Sequence, residues 1–494
     1  MRAFWRVQSK WNLYGDFINR KECLSLAVLT IIAALIRFWK LSDWSFWTDE
    51  VLTTQDARDN SYFSSINPLI YVLVRLSTNI FGVNEWSARF SPCIIGILTI
   101  PALYFPIRAI FGGKTATIAV FFTALSPWHL FWSQSARGYS LAFLFSSLAA
   151  FTFFIALETD KLKFVIIALA TTILSILSHF LSVLLVPAMF VYSAVLYLLP
   201  IEKPAGLRWK NIGIFFGPFL LTALIFLMPK YFHYLISGWG YNQWSRTPIY
   251  ILFTLVYGIG IPTAAAVIFI IFDASLLACT NPKNIDKRYL FLLCYAGVPL
   301  GICLIFSRFL NIAGYYLFFT APAYFVLAAC GCALLLEAMP QRKLIGIIAT
   351  AMIAVTFISE DYLYFRIENG GRAKWREALN TVKASMKPQD PVIVAIPRLA
   401  EYYLPEATII QVEEVMSDIS SFEEKWKSKP QNVWIIINER SFQIIDRDMK
   451  FRHWVYSNSR LVAEYPLYAR VMDRTIRVYK LDFRSLKDFG SLYR

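Results

Sequence analysis

Long apolar segments follow one another through the first three quarters of the chain, and this succession constrains the fold more than any other feature. A helix needs about 20 apolar residues to cross the hydrocarbon core of a bilayer. Only 16% of the residues are charged, against roughly 25% in soluble domains. We therefore predict a polytopic α-helical membrane protein with about 11 transmembrane helices, in the segments Glu22–Trp39, Ala88–Phe111, Thr115–Pro127, Tyr139–Leu157, Leu162–Ser178, Phe180–Leu199, Ile212–Met228, Pro248–Phe272, Tyr289–Phe306, Ile312–Leu336 and Leu344–Ile358.

The positive charges between these segments indicate the orientation of the helices. The N-terminal tail, residues 1–21, carries five Lys and Arg residues, and with eleven helices the more basic loops alternate with poorer ones. Cytoplasmic loops are enriched in Lys and Arg, so the tail is predicted to be cytoplasmic. The long first loop, residues 40–87, and the chain after Ser359 then lie outside the cytoplasmic (inner) membrane.

The composition changes after Ser359. Residues 360–494 contain polar, helix-like stretches between short apolar runs that begin at Pro391, Thr408, Asn432 and Thr475. Strands that alternate with helices indicate a small α/β domain. The sequence thus predicts a cytoplasmic tail (1–21), a transmembrane domain (22–359) with its outer loop at 40–87, and an extracytoplasmic C-terminal α/β domain (360–494).

The net charge of +15 is spread over loops and tails without a dense basic cluster. This distribution argues against nucleic-acid binding and favours contact with the headgroups of membrane lipids. The seven cysteines lie in or beside apolar segments, and none has the spacing of a zinc site. The residue patterns alone assign no cofactor.

Two adjacent carboxylates, Asp49 and Glu50, lie among aromatic residues just after the first apolar segment. Acidic side chains are costly within hydrocarbon, so this pair is expected at the membrane surface. Interfacial anchoring by Trp44 and Trp47, with merely solvated acids beside them, explains the stretch about as well as a catalytic role does.

Polar residues of the outer segments recur at four places: Asp49-Glu50, the run from Ser126 to Tyr139, Ser178-His179, and the loop from Lys230 to Arg246 together with Arg308. Singly, each has a plain explanation, because histidines occur at helix ends and arginine can extend to the interface. Their shared placement on one membrane face favours an outward cavity that holds a carboxylate, imidazoles and cations.

Such a cavity suits the transfer of a group from a lipid phosphate. A carboxylate can deprotonate an acceptor hydroxyl, and Arg or Lys can bind the phosphate as it departs with negative charge. A lipid-linked donor also explains a membrane site in a chain without a glycine-rich nucleotide loop.

Several motifs resemble those of the bacterial GT-C glycosyltransferases, closest to the protein mannosyltransferase-like and aminoarabinose transferase-like group. The similarity covers residues 30 to 200 best. It is carried by Asp49-Glu50, Asn67-Pro68-Leu69-Ile70-Tyr71, Phe81-Gly82-Val83-Asn84-Glu85-Trp86-Ser87-Ala88-Arg89, Ser126-Pro127-Trp128-His129, Ser133-Gln134-Ser135-Ala136-Arg137-Gly138-Tyr139, His179-Phe180 and Ala373-Lys374-Trp375-Arg376-Glu377-Ala378.

The resemblance implies an inverting hexosyl or pentosyl transferase of the cell envelope. It would move a sugar from a polyprenyl-phosphate donor to a hydroxyl or phosphate of a lipid, glycan or protein acceptor on the outer membrane face. Asp49 takes the family's catalytic acidic position, with Glu50 as its neighbour. The residues expected to bind the donor phosphate or the substrate are Arg137, Tyr139, Gln134, His129, His179, Asn67, Lys230, Arg246 and Arg308.

The sequence departs from the family pattern at three positions. Asn67-Pro68-Leu69 stands where His-Pro-Pro is common, Ser135 replaces a second acid, and Tyr315-Tyr316 stands in place of Arg-Tyr. A divalent metal therefore stays an open question, with Asp49 and His179 as its candidate ligands.

Two other classes of protein fit parts of the pattern. A non-catalytic membrane scaffold would explain Ser135 at the acidic position. A lipid or glycan transporter would explain the many helices and the outer cations, although such proteins usually show paired halves and broken helices at mid-membrane. The sugar and the acceptor are not determined by the sequence.

Overall fold

The computed structural model describes residues 18–59, 67–223, 247–280, 285–310, 312–338, 343–427, 432–469 and 472–481. The chain divides into two compact units. The first, here called the membrane unit, comprises Met1–Trp39, Asn60–Leu76 and Arg89–Asp361. The second, the α/β unit, comprises Lys40–Asp59, Ser77–Ala88 and Tyr362–Arg494, so that much of the first loop is grouped with the C-terminal part of the chain.

Helices account for nearly all regular structure before residue 367. They are α1 Arg20–Phe38, α2 Thr48–Arg58, α3 Pro68–Phe81, α4 Glu85–Phe111, α5 Gly113–Leu125, α6 Pro127–Ser133, α7 Tyr139–Thr159, α8 Leu162–Ser178, α9 Leu185–Leu198, α10 Trp209–Thr222, α11 Pro248–Ile259, α12 Ile261–Thr280, α13 Lys287–Phe306, α14 Ala321–Ala338 and α15 Lys343–Arg366, with 3₁₀ turns at Phe180–Leu184 and Gly314–Thr320.

Each of the eleven apolar segments contains a helix in its described part. Among the described residues, six spans are long and apolar enough to cross a membrane, and a seventh is added if α11 and α12 are counted as one bent span. The six are Glu85–Phe111, Tyr139–Thr159, Phe180–Leu198, Lys287–Phe306, Gly314–Leu336 and Lys343–Arg366. The fold is therefore that of a multi-pass helical membrane protein, as predicted.

The segment Pro248–Phe272, predicted as one continuous helix, is broken. α11 ends at Ile259, α12 begins at Ile261, and the two helices meet at an angle of 103°. Gly260, between them, has φ +84, a conformation that side-chain-bearing residues adopt only at a cost. Apolar content alone did not reveal the break because both halves are equally apolar.

The centre of the membrane unit is formed by α7 and by the span Gly314–Leu336. In the most apolar stretch of α7, 83% of the residues are buried, and in that of the span Gly314–Leu336, 89% are buried. A helix that is apolar around its whole circumference must be covered on all sides, and α7 packs along α8. The connections at the ends of these buried helices are consequently fixed in place.

The C-terminal region contains the sheet that its apolar runs predict. Strands β1 Pro391–Val394, β2 Thr408–Gln411, β3 Val433–Asn438, β4 Ser459–Tyr465 and β7 Ile476–Leu481 pair in the order β2-β1-β3-β7-β4, and β5 Tyr468–Ala469 pairs with β6 Met472–Asp473. The first three are parallel, whereas β7 is antiparallel to β3 and to β4. The helices are α16 Trp375–Ser385, α17 Pro397–Tyr403, α18 Val412–Ser417, α19 Ile419–Lys427, α20 Glu439–Ile445 and α21 Lys450–Asn458.

The sequence analysis did not predict β4. This strand lies at the edge of the sheet and most of its residues are exposed or half-buried, so it lacks an apolar run. The central strand β3 is buried along its whole length, and strands covered on both faces read as continuous apolar segments.

We expect Gly260→Ala to lower the melting temperature of the purified protein. The backbone at Gly260, with φ 84 and ψ 140, lies near a region that is essentially confined to glycine and costs other residues about 1–3 kcal/mol, and the new Cβ would lie 3.0 Å from Phe357 Cε1. Gly217→Ala is the control, because that glycine is inside α10 with no atom within 4 Å of an added Cβ. Equal melting temperatures for the two variants would contradict the role assigned to Gly260.

Candidate active site

Asp49 and Glu50 lie in the first turn of α2, where negative charge is favoured by the helix dipole. The backbone N–H of Trp47 donates to Glu50 Oε2 at 3.4 Å, and the hydroxyl of Thr53 donates to the Asp49 carbonyl at 2.8 Å. The indole N–H of Trp47 is buried without a hydrogen-bond partner among the described residues. Local sequence thus starts a helix at Thr48 and presents both acids on its first turn.

The two acids have different environments. Asp49 is half-buried, whereas Glu50 is fully buried and its Oε2 lies 3.2 Å from the Nε of Arg372. The guanidinium of Arg372, also buried, donates from Nη1 to the Gly370 carbonyl at 2.6 Å and to the Tyr364 hydroxyl at 3.2 Å. The Glu50 carboxylate is therefore neutralised within the α/β unit. Nothing in the sequence marked Arg372 as its partner.

Four connections of the membrane unit meet around His179. The side-chain oxygen of Asn67 accepts the backbone N–H of Phe180 at 2.7 Å. The ring of Tyr139 stacks on Trp132 with centroids 3.7 Å apart and lies 4.6 Å from the ring of His179. We call Trp132, Tyr139, His179, Tyr315 and Tyr316 the aromatic cluster; Tyr315 and Tyr316 contact it from the 3₁₀ turn before α14.

Close backbone packing supports this arrangement. A Cβ added to Gly138 would lie 2.0 Å from the carbonyl oxygen of Ser178. Only glycine permits the connection before α7 to approach the end of α8 so closely. The Arg-Gly-Tyr motif at 137–139 and the Ser-His pair at 178–179 are therefore brought together.

His179 is neutral in this cluster. Burial, with the positive charge of Arg137 adding to it, lowers the pKa of the imidazole from 6.5 to about 3. Within the described part of the chain, three buried polar atoms here have no hydrogen-bond partner: His179 Nδ1, Trp132 Nε1 and Ser182 Oγ. Buried polar groups without partners are uncommon in folded proteins, so each of these three atoms calls for an explanation.

His129 and Gln134 belong to a second cluster, around the fully buried Arg37 of α1. Arg37 Nη2 donates to His129 Nδ1 at 2.8 Å and to the Thr123 carbonyl at 3.1 Å. Since arginine only donates, Nδ1 is the acceptor and a proton sits on Nε2. Burial and the Arg37 charge hold the pKa of His129 well below its usual value.

The side chain of Gln134 closes the end of α1. Its amide nitrogen donates to the carbonyls of Arg37 at 2.9 Å and Trp39 at 2.7 Å. Gln134 therefore holds the last residues of α1, directly before residues 40–59, which carry Asp49 and Glu50 and are called here the acid-bearing loop. A cation inside an apolar helix is itself a functional signal, and that signal marks Arg37.

The remaining predicted positions fall elsewhere. Arg308 is exposed in the turn after α13 and, among the contacts between described residues, joins neither cluster. Lys230 and Arg246 lie outside the described residues. The hydroxyl of Ser135, at the position of the family's second acid, donates to the Phe131 carbonyl at 2.7 Å. In the described part of the chain, no group of three or more His, Cys, Asp or Glu side chains is arranged to hold a metal ion.

The structure combines a bundle of apolar helices with a C-terminal α/β domain and carries an acidic pair in its first loop. Residues 65–233 match the family model of the dolichyl-phosphate-mannose-protein mannosyltransferases. No curated protein matches the sequence significantly.

Solved structures show the same fold. ArnT from Cupriavidus metallidurans bound to undecaprenyl phosphate superposes with a TM-score of 0.57 at 14% identity, over 92% of this chain and 97% of that one. The Archaeoglobus fulgidus oligosaccharyltransferase in complex with Zn and sulfate superposes with a TM-score of 0.54 at 14% identity, over 83% of this chain and 67% of that one. At 14% identity, the likeness establishes the fold alone.

The lowered pKa of His179 predicts a loss of stability in acid. Below pH 6.5 the unfolded chain binds a proton at this residue that the folded chain does not bind until about pH 3, so stability falls with pH across this window. By about pH 5 the loss is on the order of 2 kcal/mol. The melting temperature of His179→Gln should fall less between pH 7 and pH 5 than that of the wild type.

The exposed His453 provides the control. His453→Gln should follow the wild-type pH dependence of the melting temperature. If His179→Gln also follows it, the imidazole of His179 is not held neutral by the fold.

Proposed function

We propose that the protein is an inverting glycosyltransferase that uses a polyprenyl-phosphate sugar on the outer face of the cytoplasmic membrane. The observation that carries the proposal is the half-buried carboxylate of Asp49, held on the first turn of α2 in the first loop of a GT-C fold. The alternation of basic loops supports the outward placement of that loop.

The reaction joins the acceptor oxygen to the anomeric carbon of the sugar. The bond from that carbon to the phosphate oxygen breaks, and its electron pair leaves with the polyprenyl phosphate. Asp49 takes the proton of the acceptor hydroxyl, or orients that hydroxyl for attack. Displacement from the side opposite the phosphate inverts the anomeric configuration. The acceptor is a hydroxyl or phosphate of a lipid, glycan or protein.

Arg137 is assigned to the donor phosphate. It is half-buried, and its charge acts on His179 in the aromatic cluster. A guanidinium can bind phosphate with two parallel hydrogen bonds, which stabilise the charge that develops as the phosphate leaves. Aromatic rings are suited to pack against a sugar face, and the unpartnered polar atoms of His179, Trp132 and Ser182 can hydrogen-bond its hydroxyls.

Glycosyl transfer is tested with purified protein, a panel of polyprenyl-phosphate sugars, and Asp49→Asn. We expect product from the wild type and at least a thousandfold loss of rate in the variant, within the range for removal of a general base. Asp56→Asn is the matched control, since Asp56 is on the same helix and lies 3.7 Å from Arg398.

The outcomes separate the hypotheses. Product from the wild type and Asp56→Asn, but not from Asp49→Asn, supports the enzyme and identifies the sugar. No product from folded wild type with any donor would favour the non-catalytic scaffold, which Ser135 at the acidic position also suggests. Inhibition by chelator that added divalent metal reverses, and that is lost in His179→Asn, would assign His179 to a metal.

Arg137→Ala should weaken donor binding, measured as a rise in the donor KM, more than it weakens folding, measured by the melting temperature, when both are expressed as free energies. A hydrogen bond to a charged group contributes about 1.5–3 kcal/mol, so KM should rise roughly 10- to 100-fold. Arg208→Ala is the control, because Arg208 is exposed and pairs with Asp160 at 3.0 Å on the opposite predicted face. An unchanged donor KM in Arg137→Ala would contradict the phosphate role.

A further inference from the structure

We propose that Arg372, from the segment that follows α15, is a positioning residue for catalysis. Through the buried carboxylate of Glu50 it fixes the start of α2 and thereby the direction of the Asp49 side chain. The inference rests on the proposed function insofar as Asp49 is the catalytic acid. If it is correct, the C-terminal segment contributes to catalysis through Arg372.

The pair between Arg372 and Glu50 is almost completely removed from water. The two side chains are 1% and 0% exposed. Burying a charge is costly unless an opposite charge and hydrogen bonds compensate it, and here both sides are compensated. Arg372 also donates to the Gly370 carbonyl and the Tyr364 hydroxyl, and Glu50 accepts the Trp47 N–H. The guanidinium thus joins the end of α15 to the cap of α2.

The turn that presents Arg372 packs directly on the acid-bearing loop. Gly370 has φ +64, and a Cβ there would lie 2.7 Å from ring atoms of Trp44. The Trp44 side chain is buried, with its ring 5.9 Å from that of Tyr364 and 6.2 Å from that of Phe365. Glycine is needed both for the backbone conformation and for this contact.

Further hydrogen bonds hold the loop before α2. The Ser45 hydroxyl accepts the Arg376 N–H at 3.0 Å and donates to Glu377 at 3.2 Å. The Tyr403 hydroxyl accepts the Phe46 N–H at 2.9 Å.

The same tyrosine hydroxyl donates to Glu85 at 2.8 Å, and burial together with that carboxylate raises the pKa of Tyr403. Arg376 pairs with Glu85 at 3.1 Å but stays one-third exposed. Because Arg372 contacts α2 itself and is fully buried, it is the residue to test.

The helical geometry explains how Glu50 controls its neighbour. Successive side chains of an α-helix project about 100° apart. Once Glu50 is directed at Arg372, the rotation of the first turn is set, and Asp49 points to an adjacent face. Without the pair, this turn can rotate and fray. A catalytic group displaced by about 1 Å can lose a hundredfold in rate.

The test compares Arg372→Met, Glu50→Gln and the double variant with the wild type in the glycosyl transfer assay. We expect kcat to fall at least tenfold with the donor KM changed less than twofold. The double variant should be no slower than the slower single variant, because both act through one pair. Arg372→Lys, which keeps the charge, should recover part of kcat.

Arg452→Met is the matched control. Its buried guanidinium pairs with Asp446 at 3.1 Å elsewhere in the α/β unit. This variant should lower the melting temperature as much as Arg372→Met does and leave kcat unchanged. If the single variants fail to fold, the double variant, which leaves no unpaired buried charge, replaces them. An unchanged kcat in folded Arg372→Met or in the double variant, or an equal loss in Arg452→Met, overturns the proposal.

Amide hydrogen exchange tests the positioning without any activity. Exchange across residues 48–58 should be at least tenfold faster in Arg372→Met than in the wild type, and unchanged there in Arg452→Met. This result decides the proposal even if no sugar donor is found. Failure of the positioning role can therefore be distinguished from failure of the proposed glycosyltransferase function. Equal exchange at residues 48–58 in Arg372→Met and the wild type would refute the positioning role.

Discussion

The desolvation of two arginines, one in each unit, determines which polar groups surround them. Arg37 in α1 and Arg372 after α15 are both fully buried, and each must therefore be surrounded by acceptors. Arg37 donates from its two Nη atoms to carbonyls of α5 and to His129, while its Nε has no partner among the described residues, and Gln134 binds the last carbonyls of α1 nearby. Arg372 is satisfied by Glu50. Arg37 thus lies near the end of α1, just before the acid-bearing loop in the sequence, and Arg372 binds Glu50 in the first turn of α2.

Both clusters of the membrane unit leave buried polar atoms without a hydrogen-bond partner among the described residues. Around Arg37, the Nδ1 of His129 is occupied and Gln134 uses its amide nitrogen on two carbonyls, whereas Arg37 Nε and His129 Nε2 lack partners. Around His179, polar atoms of three side chains lack partners among the described residues. Gln134 of the Arg37 cluster holds the end of α1, so we assign that cluster to support. The rings of the aromatic cluster and the nearby charge of Arg137 suit a sugar phosphate, so we assign that cluster to the substrate in the proposed reaction.

Much of the fold was predictable because single apolar segments specify single helices or central strands. The break at Gly260 was not predicted because the helix was assigned on apolar content alone, although Gly260 followed by Pro262 is a signal for the end of a helix. The pair of Glu50 and Arg372 was hidden for another reason: its members are 322 residues apart in sequence. The motifs around Arg137 and His179 were found, but their meeting depends on the close approach of Gly138 to Ser178.

The substitution of the second acid by Ser135 has a physical consequence for the acid that remains. Ser135 is fully buried, and its hydroxyl is bound by a carbonyl of its own turn. A carboxylate in that place would need new partners or would stay protonated. Glu50 is neutralised by Arg372. Of these three positions, only Asp49 offers a carboxylate that is both half-exposed and held on a fixed helical turn. In the proposed reaction, acid–base chemistry therefore depends on how firmly α2 is held.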